Sequence, residues 1–175
     1  MNTSVRLEVG KELELMNSTL SLQIYELEQT ISVVNEKPAA HLHGSGTYGY
    51  YSSGTVTQWY TSSGSTWSPF IRGGMQYKDG VITVPTSGIY YVYVQMNYKH
   101  YSSTSYRSAG FRIRVNGSGR AYAYRYHQQP NDYHTHYMGR IIQLNNNDKL
   151  SITFDANCRY YFNSEFTFFG VFFAN

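Results

Sequence analysis

Val81-Ile-Thr-Val-Pro-Thr-Ser-Gly-Ile-Tyr-Tyr-Val-Tyr-Val-Gln95 decides how this chain folds. A short β-branched run is followed by a turn at Ser87-Gly88 and then by a longer run, Ile89 to Tyr98, built of β-branched and aromatic residues. Pro85 has no N–H to give a ladder, so the first run closes as a strand end. In the second run Ile89, Tyr91 and Tyr93 share one face, Tyr90, Val92 and Val94 share the other, and both sets are apolar. Near the C-terminus Phe166, Phe168 and Phe172 oppose Phe169, Val171 and Phe173 in the same way. A sandwich core covers one face of a strand. Large exposed aromatic patches are rare on soluble monomers, so the second face calls for another subunit, and oligomerisation is expected from the pattern alone.

Working outward, strand signals recur. Met75 to Tyr77 precedes a turn at Asp79-Gly80. Phe111, Ile113 and Val115 alternate with Arg112 and Arg114, Asn116-Gly117 is a hairpin signal, and Tyr122, Tyr124 and Tyr126 alternate with Ala121, Ala123 and Arg125. Tyr137 to Leu144, Leu150 to Phe154 and Glu165 to Phe173 bring the total to about eight strands at sandwich spacing. Residues 44–74 read as long Ser-, Gly- and Tyr-rich surface loops with short strands near Thr55 to Tyr60, anchored by Trp59 and Trp67. No helix fits in this region, and the 19 Tyr, 9 Phe and 15 Gly agree with an all-β class.

The first 36 residues differ. Leu13, Leu20, Ile24, Leu27, Ile31 and Val34 step by three and four, with Asn17 the one polar position in the series, which predicts a helix with a heptad seam. Ile24, Ile31 and Asn17 fall at a and the leucines and Val34 at d, a set that in isolation favours two strands. The alternative is an amphipathic helix packed on its own domain. Pro38 ends the helix in either case. The expected domains are a helical coiled-coil stalk over 1–36 and a β domain over 37–175.

Several functions are disfavoured. Lys and Arg are scattered despite a net charge of +3, so no run tracks a nucleic-acid backbone. No stretch approaches the roughly 20 apolar residues of a membrane span, and any anchor or signal is expected to lie outside this sequence. Cys158 has no second cysteine to pair with and is placed in a loop as a free thiol. His41 with His43 and His134 with His136 lack an accompanying Cys or carboxylate cluster, so no metal or other cofactor is expected. No nucleophile elbow, phosphate loop or catalytic dyad is present, and an enzyme is not expected. Asn2, Asn17 and Asn116 open glycosylation sequons. A glycan on Asn17 would exclude zippering there, so the seam is expected to begin after it.

Lys37-Pro-Ala-Ala-His-Leu-His43, the Val81–Gln95 stretch, Tyr137-Met-Gly-Arg-Ile-Ile-Gln-Leu144 with Asp148-Lys-Leu150, and Phe166-Thr-Phe-Phe-Gly-Val-Phe172 together resemble the strands of tumour necrosis factor ligands, in order and spacing, over residues 37–175. The resemblance implies a jelly roll whose three copies pack edge to face around a three-fold axis, with Tyr91, Tyr93, Tyr137 and Phe168 along that axis. It implies an extracellular homotrimeric cytokine, secreted or shed from a type II membrane protein, that binds and clusters cysteine-rich receptors in the grooves between subunits. By position those grooves take the loops Lys99–Arg107, Asn116–Gly119, Gln128–His136 and Asn157–Ser164, with Tyr101, Tyr106, Arg107, Tyr133, Arg159, Tyr160 and Tyr161 as candidate receptor contacts. The short Asn116 turn departs from the longer receptor-contacting loop of many members and is closer to C1q-type heads. A C1q-like or glycan-binding recognition head is therefore the alternative.

Overall fold

The computed structural model describes residues 3–46, 48–51, 54–61, 69–99, 107–127, 133–154 and 158–174. It divides into two compact units, Met1–Glu36 and Lys37–Asn175. The first is a single helix, α1 (Thr3–Asn35), rich in Leu and Glu and closed three residues before Pro38. Ser18, Thr19, Ser21 and Thr30 turn their hydroxyls back to carbonyls three or four residues earlier, which lets a polar residue sit inside a helix. Every residue from Glu8 to Ile31 is exposed, including the whole apolar series from Leu13 to Ile31.

The second unit is a jelly-roll sandwich. Its strands are β1 (Ala39–Gly44), β2 (Tyr48–Tyr51), β3 (Gly54–Thr55), β4 (Trp59–Tyr60), β5 (Phe70–Arg72), β6 (Gln76–Lys78), β7 (Val81–Thr83), β8 (Gly88–Lys99), β9 (Arg107–Val115), β10 (Ser118–His127), β11 (Tyr133–Leu144), β12 (Lys149–Phe154), β13 (Cys158–Tyr161) and β14 (Phe168–Phe173). One sheet runs β2-β13-β8-β14-β1-β4, with β11 also on β8 and β5 on β1. The other runs β10-β9-β12-β7-β6, with β3 on β12. Among the described residues all pairings are antiparallel, as hairpin turns demand. The turns use residues that tolerate positive φ: Asp79-Gly80 at 49° and 84°, and Asn116-Gly117 at 50° and 79°.

Between the sheets lies one core. Tyr90, Val92, Val94, Met96 and Tyr98 of β8 share it with Phe111 and Ile113 of β9, Leu150 and Ile152 of β12, and Phe169 and Val171 of β14. Trp59 is buried against Phe162 and Phe169, and its indole N–H donates to the Val56 carbonyl. Trp67 lies outside the described residues. At one end three turns are tied together. The Asn116 amide donates to Asp148 (2.7 Å) and accepts from the Lys149 N–H (2.9 Å), Asp148 also accepts from the Asn145 N–H, and the Asn146 N–H reaches Ser87. Asn116 is thus a structural clamp as well as a sequon residue.

The expected loop over Asn157–Ser164 is instead strand β13 at Cys158–Tyr161. It fills the slot between β2 and the far end of β8, with Arg159, Tyr160 and Tyr161 opposite Lys99, Tyr98 and Asn97. Cys158 therefore stands in a strand and not in a loop. β11 likewise begins at Tyr133 and absorbs half of the expected Gln128–His136 loop, because it pairs with β8 along the full length of that strand.

Candidate functional site

The outer face of the larger sheet carries three cross-strand rows set by register. Ile141, Tyr91, Phe172, Ala39 and Arg72 form the first, Gly139, Tyr93, Gly170, His41 and Phe70 the second, and Tyr137, Gln95, Phe168 and His43 the third. Directly opposite residues of an antiparallel pair share a face, so the rows make one surface. The glycines of the middle row are there for the tyrosines. A Cβ on Gly170 would land inside the Tyr93 ring, and one on Gly139 would land on the Tyr91 phenol. Both rings lie down across these gaps instead of standing off the sheet.

Lying flat, the rings meet. Tyr91 and Tyr93 stack at 6.0 Å between centroids, Tyr91 approaches Phe172 at 5.4 Å, and Tyr93 approaches Phe168 at 6.2 Å edge-on. The Tyr91 and Tyr137 hydroxyls bond each other at 2.9 Å, and Tyr93 Oη bonds His41 Nδ1 at 2.7 Å. The four residues expected on a symmetry axis, Tyr91, Tyr93, Tyr137 and Phe168, thus share one patch of a single head. Phe70 and Ile141 join them and were not singled out by sequence, and so does His41, which the sequence offered only as half of a His pair. Phe70 lay in a stretch read as loop, and the signal for Ile141 was its place opposite Tyr91.

Three members of the patch, His41, Tyr93 and Tyr137, are uncharged at physiological pH. Burial, then the neighbouring His43, holds His41 down at about 4, and burial, then Tyr91, pushes the Tyr93 phenol up to about 12. The hydrogen bond with Tyr91, followed by burial, also puts Tyr137 at about 12. Its members remain open to solvent, Ile141 at 68 %, Tyr137 at 54 % and Phe172 at 44 %. Flat apolar rings with paired hydroxyls suit binding. Among the described residues no group of three His, Cys, Asp or Glu could hold a metal ion.

The candidate receptor contacts scatter. Tyr133 and Tyr161 stand on β11 and β13, on either side of β8, and meet across it, with rings 5.2 Å apart and hydroxyls at 3.2 Å. They extend the same outer face beyond Asn97 and Thr135, which bond each other. Tyr160 is a correction: its side chain is fully buried, stacked on Phe154 at 3.6 Å, with its hydroxyl donating to the Gly110 carbonyl. Alternation along β13 turns it inward where Tyr161 faces out, so it is a core residue and not a surface contact. The backbones of Arg107 and Arg159 begin β9 and continue β13, and Tyr101, Tyr106 and Asn2 lie outside the described residues. Asn17 lies mid-helix in α1.

Comparison with known proteins gives the family. No curated protein matches the chain by sequence. A solved structure described as Eiger TNF from S. frugiperda is similar with a TM-score of 0.66, covering 80% of this chain and 94% of that one. At 17% identity that likeness shows a shared fold. The model of the TNF (Tumour Necrosis Factor) family matches residues 57–174, which include β4 to β14. The chain belongs to the tumour necrosis factor family and is a TNF-like cytokine, a non-enzymatic signalling ligand.

Proposed function

We propose that the head forms a homotrimer through the outer aromatic face of its larger sheet and acts outside the cell by clustering cysteine-rich receptors of the TNF-receptor type. The observation that carries this is the patch itself. Tyr91, Tyr93, Phe168 and Phe172 are held together in a flat neutral surface, with Ile141 and Tyr137 at its edge, and such a surface gains free energy when another copy covers it. The exposed heptad seam of α1 supplies a second self-association element, with its strand number set by the head. Tyr133 and Tyr161, at the end of the face, are the best-placed receptor anchors, with Arg107, Arg159, Tyr101 and Tyr106 as further candidates. Three receptors held by one ligand would be presented at high effective concentration, which is the signalling mechanism.

Light scattering on the purified chain tests the assembly: a mass three times 20.1 kDa is expected. A stable monomer at tens of micromolar (about ten-thousandfold above a typical nanomolar affinity) would overturn it. Capture of TNF-receptor-type ectodomains from solution tests the second half, and failure to bind any of them would remove the ligand role while leaving the trimer standing.

A further inference from the structure

The charge of the chain is unevenly divided. Met1–Glu36 carries two Lys and Arg against six Glu, a net −4, whereas Lys37–Asn175 carries twelve Lys and Arg against five Asp and Glu, a net +7. Register gathers cations of the second unit on the outer face of the smaller sheet. Lys78 on β6, Lys149 on β12, Arg112 and Arg114 on β9 and Arg120 on β10 all point away from the buried Ile82, Leu150, Ile113 and Ala121 of the same sheet. With neighbouring strands about 4.8 Å apart, the track from β10 to β6 is about 19 Å wide.

One end of the track is a built groove. Gly119 pairs with Arg114 and Ala121 with Ile113, so Arg120 is the extra residue of a β-bulge, a device that re-aims a side chain. Arg120, Arg112 and Arg140 line a shallow groove of about 420 Å³ with Gly119, Ala121 and Tyr122, and among the described residues no carboxylate lines it. The Arg112 guanidinium lies 4.7 Å over the Tyr122 ring. Arg114 beside it is held by Thr153 (2.9 Å) and the Gly117 carbonyl (2.6 Å). The neighbouring acid Asp148 is occupied by Asn116 and the Asn145 N–H, while Asp79 sits in the β6–β7 turn. Gathering guanidinium groups costs Coulomb energy that an anion would relieve.

We infer that this face binds a linear sulfated polysaccharide, with the arginine groove as its anchor. Planar guanidinium forks suit tetrahedral oxyanions, the Tyr122 ring backs the Arg112 fork, and a groove opening on a track across the strands fits a chain better than the plane of a bilayer. The choice of sugar over nucleic acid rests on the extracellular reading proposed above. Apart from Arg140, whose strand β11 also carries Ile141, the residues of this groove and track stand on the sheet opposite the aromatic face.

The test is titration of a heparin fragment against the full chain over a series of salt concentrations, with light scattering on the same samples. Binding is expected, with log K falling linearly against log salt. The pair Arg120→Ala with Lys149→Ala, both exposed, is expected to keep the mass of the parent, bind about tenfold or more weakly near physiological salt and lower the salt slope by about two. The control pair Lys11→Ala with Lys37→Ala removes the same charge at two residues that are not part of the face and is expected to change affinity by less than about twofold. Absence of heparin binding, an equal loss in the control pair, or undiminished binding of desulfated heparin would overturn the inference. So would tighter binding of phosphatidylserine vesicles or of an oligonucleotide at equal salt, which would give the face to a membrane or to nucleic acid. Because every residue involved belongs to one chain, a monomeric parent would refute the trimer and leave this result readable.

Discussion

Ile141→Asp tests the aromatic face with little risk to the fold. Ile141 stands opposite Tyr91 on β11, is 68 % exposed and is not a core residue. Full burial of an isoleucine is worth about 1.5–3 kcal/mol, so covering the exposed part is worth about 1–2 kcal/mol per copy. An aspartate there forfeits that gain and adds about 1–3 kcal/mol or more for a carboxylate pressed into an apolar contact. Over three copies the loss spans about 6–15 kcal/mol, with about 8–10 kcal/mol as the working value. At about 1.4 kcal/mol per decade this is some six decades in the three-body association constant. The concentration at half assembly varies as the square root of that constant and should rise about a thousandfold. Sedimentation over a dilution series reads the shift, and far-UV circular dichroism checks that the strands persist. Tyr124→Asp is the control, since Tyr124 is an exposed aromatic on the smaller sheet and its change should leave assembly untouched. Ile141→Asp sedimenting like the parent across the series would refute the reasoning.

Tyr160 separates core from surface. Tyr160→Ala should cost about 3–5 kcal/mol and Tyr160→Phe about 1 kcal/mol, whereas Tyr133→Ala should stay within about 0.5 kcal/mol by urea melts. For the turn clamp, Asn116→Ala should lose about 2–3 kcal/mol through two hydrogen bonds and an unfavourable positive φ. Asn116→Gly, which accepts that φ, should lose about 1 kcal/mol less, and equal losses would remove the backbone contribution. Acid should weaken the fold through His41. Its folded pKa, about 4, lies below the ordinary 6.5, so the unfolded chain binds more protons between these values. Stability from this group is full above about pH 6.5, falls as pH drops toward 4 and changes no further below that. A His41→Gln variant should show a shallower pH dependence of its melting temperature in this window, and an unchanged slope would exclude His41 as the source.

What could be read from sequence follows from how local each signal is. The alternation in Ile89–Tyr98 sorts Tyr91 and Tyr93 from Tyr90 and Val92, and the structure keeps that division: the first pair lies outside and the second in the core. The Asn116-Gly117 hairpin is equally local. Tyr160 was misread because Cys158–Tyr161 has too few residues to show a period, and its strand exists only because β2 and the end of β8 leave a slot for it. Tyr133 to His136 carry polar residues typical of a loop but pair along β8 as an edge strand. The glycine gaps under Tyr91 and Tyr93 depend on register between strands distant in sequence, and Arg140 reaches Arg112 and Arg120 from a strand outside their hairpin. No one-dimensional pattern encodes such a register directly.

The gaps at Gly139 and Gly170 have an entropic consequence. Tyr93 is pinned by His41 and Tyr91 by Tyr137 within a lone subunit, so the rotors that docking would otherwise have to freeze are already set. Immobilising a rotamer-rich side chain at an interface costs about 0.5–1.5 kcal/mol. Folding a single head has met that cost in advance, and a partner arriving at this face finds a surface that keeps its shape on contact.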